Sequence, residues 1–285
     1  MDECLQTLVE KQECPTDEVL VQQVRLQLIV EKVAQIPWHD GEIENAEPIR
    51  APPTLYLKAL QSQLQEVKHK LPPKLQRNGK LSSINYFSCP IFDSLAEVVL
   101  VHLYSTELTI NEIALSKAPI ISNSSDFQRL ESLYACLNSI KSWLDVLFAI
   151  PASAIVGFPF SVCSQLIHCL IGLYRLSTLD DPAWNKDIVR NTANLTLILD
   201  QVTDKIRQAA GLAGLDSDSP EGNMLTKAAK MLGSIRLGWE AKLAVESTGP
   251  AISNTQNVEE IIPEALPMDF SDDAWLTDIL VSWDC

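Results

Sequence analysis

Residues 125–151 read Ser-Asp-Phe-Gln-Arg-Leu-Glu-Ser-Leu-Tyr-Ala-Cys-Leu-Asn-Ser-Ile-Lys-Ser-Trp-Leu-Asp-Val-Leu-Phe-Ala-Ile-Pro. Within them Leu130, Leu133, Leu137, Ile140, Leu144 and Leu147 recur three and four residues apart. That spacing places side chains on one face of an α-helix. Ser125 followed by Gln128 forms a capping-box pattern, in which each end of the pair satisfies a backbone N–H that the first turn leaves open. Pro151 has no N–H to continue the ladder, so the helix ends before it.

The same period extends in both directions. Upstream, Val19, Leu20, Val24, Leu28 and Val33 mark a helix starting near Thr16-Asp17. Leu57, Leu60, Leu64, Val67 and Leu71 mark a second, which Pro72-Pro73 stops. Leu95 to Leu103 is a short buried stretch. Downstream, Ser161 to Leu176 is apolar nearly all round, which predicts a central helix. Leu195, Ile198, Leu199, Val202 and Ile206 predict another, ending near Gly211, and Leu225, Ala228, Leu232, Ile235 and Trp239 the last. No stretch sustains the period of two that a strand needs. The expected fold is all-α, an irregular multi-helix bundle of about seven or eight helices. The 3-4 spacings last only about two heptads each, short for a dimerising coiled coil, so they are read as core faces of a bundle.

Three divisions are expected: a lead-in over 1–15, a helical body over 16–246, and a flexible tether with an acidic, aromatic segment over 247–285. Loops are expected at 37–53, 72–92 and 214–222, where Pro, Gly, Ser and Asp gather. The charge distribution supports the last boundary. The 285-residue chain carries a net −15. The last base is Lys242, and nine acids follow it with no positive charge, leaving a net of −6 on the first 242 residues. A chain this acidic is repelled by phosphate backbones, which argues against the body as a nucleic-acid binder.

Seven cysteines lie at 4, 14, 89, 136, 163, 169 and 285, with no Cys-x-x-Cys pair. The start, Met1-Asp-Glu-Cys-Leu-Gln-Thr, lacks a basic, then apolar, leader pattern, so reduced thiols inside the cell are expected and the sequons at Asn123 and Asn194 carry no glycan. Val146 to Tyr174 contains no Asp, Glu, Lys or Arg. Pro151 and Pro159 interrupt it, so it is read as the end of one buried helix, an apolar loop and the start of another, not a membrane span.

No catalytic pattern emerges: no Gly-x-Ser-x-Gly, dinucleotide glycine fingerprint, phosphate-binding loop or His-Glu-x-x-His. His168 sits between Cys163 and Cys169, but at about 100° per residue Cys163 and His168 point about 140° apart. A packed core histidine beside two inert thiols is expected, not a ligand set. Asp180-Asp181 before Pro182 reads as turn chemistry. Lys68, His69, Lys70, Lys74, Arg77 and Lys80 read as a solvated helix end and loop, where cations complement the negative end of the helix dipole. No cofactor, metal ligand or catalytic residue is expected, and no enzyme.

The informative local feature is the end of the chain, Val258-Glu-Glu-Ile-Ile-Pro-Glu-Ala-Leu-Pro-Met-Asp-Phe-Ser-Asp-Asp-Ala-Trp-Leu-Thr-Asp-Ile-Leu-Val-Ser-Trp-Asp-Cys285. Acidic and bulky apolar residues intermingle, the composition of an activation-type segment. On a helix, Trp275, Leu276, Ile279, Leu280 and Trp283 share an arc of about 140°. With Phe270 they form the expected partner-binding set, suited to a groove on another protein. The alternative is that this face docks on the chain's own body.

Several stretches together resemble the regulatory region of fungal binuclear zinc-cluster transcription factors. They are Asp17-Glu-Val-Leu-Val-Gln-Gln-Val-Arg-Leu-Gln-Leu-Ile-Val-Glu-Lys-Val33, Ile150-Pro with Gly157-Phe-Pro-Phe160, Gln165-Leu, Tyr174-Arg-Leu-Ser-Thr-Leu-Asp-Asp-Pro-Ala-Trp184, Val189-Arg-Asn-Thr-Ala-Asn-Leu195 with Ile198-Leu-Asp, and the Asp272–Asp284 terminus. The resemblance covers most of residues 16–285. It implies an all-α regulatory region, a nuclear location and control of metabolic or secondary-metabolite genes. The six-cysteine zinc cluster of that family has no counterpart here, so the chain is expected to begin inside the regulatory region, and neither zinc ligands nor DNA-reading residues carry over. Direct DNA binding is therefore not expected. Protein contacts are: with the transcriptional machinery, with a full-length zinc-cluster factor, or within a dimer. The competing reading is a non-nuclear helical scaffold or small-molecule-binding domain with a solubilising tail.

Overall fold

A computed structural model describes residues 2–11, 13–14, 16–36, 53–71, 90–115, 126–215 and 223–248. Among them there is no strand. The elements are α1 (Asp2–Lys11), α2 (Asp17–Ala34), α3 (Pro53–Lys70), α4 (Pro90–Asn111), a 3-10 turn (Glu112–Leu115), α5 (Asp126–Ala149), α6 (Ala152–Ile155), α7 (Phe160–Thr178), α8 (Lys186–Thr192), α9 (Leu195–Leu212) and α10 (Met224–Thr248). The expected all-α class is the observed one. The chain divides into two units, Met1–Arg236 and Leu237–Cys285. The described part of the second is the remainder of α10, in which Trp239 is buried and Leu237 exposed.

In the first unit α4 is the central helix, packed against α2, α3, α5 and α7. Its length exceeds the short stretch expected at 95–103, and it takes the central position that α7 was expected to fill. Val99, Leu100, Val101, Leu103, Leu108 and Ile110 are all buried, and so are Ser105, Thr106 and Asn111. A helix covered on all sides shows no polar face, so its period is invisible in sequence. Several of its polar residues bond back within the helix: Thr106 and Thr109 donate their hydroxyls to the carbonyls of His102 and Ser105, at 2.8 and 3.0 Å, and Asn111 Nδ2 donates to the Glu107 carbonyl at 2.7 Å. α7 is one-sided by comparison. Val162, Cys169, Leu170, Leu173 and Leu176 are buried, while Phe160, Ser161, Ser164 and Arg175 are exposed.

One core cluster joins α2, α3 and α4 through Leu26, Ile29, Leu60, Leu64, Val99 and Leu103, with Leu57, Tyr104 and Val146 packed at its edge. Of the expected α3 face, Leu60, Leu64, Val67 and Leu71 are buried and Leu57 is half-buried. α2 differs. It buries Val19, Val21, Gln22, Leu26, Ile29 and Val33, leaving Leu20 exposed and Val24 and Leu28 half-buried. Two apolar stripes run along this helix, and α3 and α4 select the first. Gln22 is the exception within it: its Oε1 is buried with no hydrogen bond. Polar contacts rim the cluster, with Lys32 Nζ donating to Gln63 Oε1 at 3.0 Å and Gln61 Nε2 to Asn111 Oδ1 at 3.0 Å.

α5 buries Leu133, Leu137, Ile140, Leu144 and Leu147 of its expected face, together with Trp143, and leaves Leu130 half-buried. The expected cap residue Ser125 lies outside the described residues. At Gly172 of α7 a Cβ would lie 3.1 Å from Ile140 Cδ1 of α5 and 3.8 Å from Leu108 Cδ1 of α4, so glycine permits the close approach of these helices. Three short elements escaped sequence analysis. α1 lies within the expected lead-in and packs on α2, burying Leu5. α6 occupies the apolar loop, and α8 follows Trp184. None is long enough to establish a period.

The helices past α7 start on asparagine. Asn185 Oδ1 accepts from the Asp187 and Ile188 N–H groups at 2.9 and 3.3 Å, and Asn194 Oδ1 from Leu197 N–H at 3.2 Å. α9 runs one residue past Gly211 and ends in a Schellman arrangement: Gly214 has φ +66° and Leu215 N–H bonds back to the Ala210 carbonyl at 3.0 Å. Asn223 closes the same connection. Its Nδ2 donates to the Leu215 carbonyl, and its Oδ1 caps α10 through Thr226 N–H at 2.9 Å.

Candidate functional site

The partner-binding set read from the sequence, Phe270, Trp275, Leu276, Ile279, Leu280 and Trp283, lies outside the described residues. So do Lys74, Arg77 and Lys80 of the basic cluster. Lys68 and Lys70 of that cluster are engaged, with Glu107 at 2.7 Å and Glu66 at 2.5 Å. The Lys70–Glu66 contact holds the Glu66 carboxyl below its ordinary range. His69 Nδ1 meets the Gln65 carbonyl at 2.8 Å. The Lys70 and His69 contacts are those of a solvated helix end, whereas the part-buried Lys68–Glu107 pair ties α3 to α4.

A polar junction forms where the 3-10 turn, α5, α7 and the 179–185 loop converge. Arg129, on the first turns of α5, sits at its centre. Its Nε donates to the Ala114 carbonyl at 3.2 Å and its Nη1 meets Asp181 Oδ2. Asp181 Oδ1 also accepts from Ala183 N–H at 2.9 Å, and the Trp184 N–H donates to the Asp181 carbonyl at 3.0 Å. The Ala183 N–H and, after it, Arg129 hold the Asp181 carboxyl below the usual carboxylate range against the opposing effect of burial. The turn chemistry expected for Asp180-Asp181 is thus present in Asp181; the ion pair with Arg129, 52 residues away in sequence, was not foreseen.

Trp184 then folds inward. Its indole N–H donates to the Leu176 carbonyl at 2.8 Å, satisfying the end of α7, and its ring meets Tyr134 of α5 with centroids 4.9 Å apart at 52°. Such tilted pairs are favourable for aromatic quadrupoles. His168 Nε2 pairs with Glu112 Oε2 at 2.5 Å. With a side chain 32% exposed, His168 is not the packed core residue expected, because the 3-10 turn brings Glu112 to the margin of α7. The same turn is therefore held by α7 through Glu112 and by α5 through Ala114.

Burial, and after it the negative charge of Glu112, pushes Cys136 and Cys169 well above the ordinary range, and burial also raises the half-buried Cys163. A thiol held protonated is a poor nucleophile. Among the described residues no group of three His, Cys, Asp or Glu is arranged to hold a metal, and no helix is long and apolar enough to cross a membrane. Lys205 of α9 donates to the Phe148 carbonyl at 3.2 Å, tying α9 to the end of α5, and its burial depresses its pKa. The polar groups of the junction thus bond to one another and to backbone groups of the turn, the loop and the end of α7. Val156 and Phe160, between α6 and α7, stand exposed on the stretch that has no charged residue.

Residues 152–284 match the ATEG07667_C family model, described as a C-terminal domain. The chain is 34% identical over 245 residues to the protein named transcription factor opdL of Penicillium oxalicum, an alignment covering 85% of this chain and 39% of that protein. It is 30% identical over 312 residues to a protein named transcription factor of Aspergillus terreus, covering 98% of this chain and 48% of the relative. The chain thus spans less than half the length of either. No solved structure matches it.

Proposed function

We propose that this relative of fungal transcription factors is itself a transcriptional regulator, acting through protein contacts and not as an enzyme. The observation that carries this reading is the similarity to two proteins named transcription factors, which in one case runs through nearly the whole chain, tail included. The chain's work is then done in the nucleus, on metabolic or secondary-metabolite genes, with the transcriptional machinery or a full-length zinc-cluster factor as partner. The acidic, aromatic end is the contact segment. Phe270, Trp275, Leu276, Ile279, Leu280 and Trp283 supply the apolar face, and the acids around them keep it soluble and speed encounter with a basic partner.

The test is a reporter assay with residues 246–285 fused to a heterologous DNA-binding domain. The parent fusion activates. Trp275→Ala combined with Trp283→Ala abolishes activation, because aromatic anchors dominate groove binding, while Asp278→Asn only reduces it. A double tryptophan variant as active as the parent, or a silent parent, overturns the assignment.

A further inference from the structure

We draw no further inference here: the strongest candidate, the exposed apolar surface of Val156 and Phe160 where α6 leads into α7, carries nothing, because nothing in the structure shows what covers it.

Discussion

Arg129→Met tests whether the polar junction holds the first unit together. Methionine keeps most of the arginine stem and removes the guanidinium, so packing changes little while two contacts vanish. These are the bond to the Ala114 carbonyl and the ion pair with Asp181. Removing one member of a fully buried pair costs about 3–5 kcal/mol, while an exposed pair is worth about 0–1 kcal/mol. Here the Arg129 and Asp181 side chains are 25% and 12% exposed, so the pair falls between those limits. Adding the lost donor to Ala114, the expected cost is about 2–3 kcal/mol. Urea unfolding followed by helical circular dichroism measures it. The pH dependence gives a second reading. Asp181 is depressed in the folded state, so its contribution is complete above the unfolded value, about pH 4, and is lost as pH falls through the lower folded value. The gap between parent and variant should therefore be constant from about pH 7 to 5 and narrow below about pH 4. A double-mutant cycle with Asp181→Asn should return a coupling energy of about 1 kcal/mol or more. A cost under about 0.5 kcal/mol with no coupling would refute the argument, leaving the junction a surface feature without energetic weight.

Gly172→Leu should destabilise by about 1–3 kcal/mol through overpacking against Ile140 and Leu108. Gly172→Ala should come out nearer neutral, since about 1 kcal/mol of helix propensity offsets the 3.1 Å contact, and thermal melts of the two variants separate these effects. Gln22→Leu should stabilise by about 1 kcal/mol or more, because it replaces a buried, unbonded carbonyl oxygen with an apolar group of similar size; a lower urea midpoint would contradict this. Asn223→Ala should cost about 1–2 kcal/mol and speed hydrogen exchange in the first turn of α10, since one side chain both caps that helix and holds the Leu215 carbonyl.

Helices whose faces contrast were legible before any coordinates. α9 buries all the residues that its 3-4 spacing singles out, and α3 and α5 bury all but their first, Leu57 and Leu130, which are half-buried, because a half-solvated helix must alternate apolar and polar sides. α4 was legible only in part. It is covered by four helices, so nothing in its sequence distinguishes one side from another, and apolar side chains together with threonines bonded back to the carbonyls four residues earlier fill it. In α2 both stripes are apolar enough to be buried. The choice of Val19, Leu26, Ile29 and Val33 over Leu20, Val24 and Leu28 belongs to α3 and α4, which no local pattern encodes.

The polar junction divides in the same way. The Asp-Asp-Pro-Ala-Trp loop announces a turn, since Asp accepts from backbone N–H groups two residues on. Its partner Arg129 is 52 residues earlier in sequence, and the Glu112–His168 pair spans 56 residues. Charged groups that far apart in sequence carry no mutual signal in a single chain, because only the crossing of helices brings them within reach. Composition, period and the run of uncompensated acids after Lys242 determined an all-α chain with an acidic end, since those depend on local sequence alone. Tertiary structure decided which helix is central, which face of α2 is buried and which ion pairs close, since those depend on what packs against each residue.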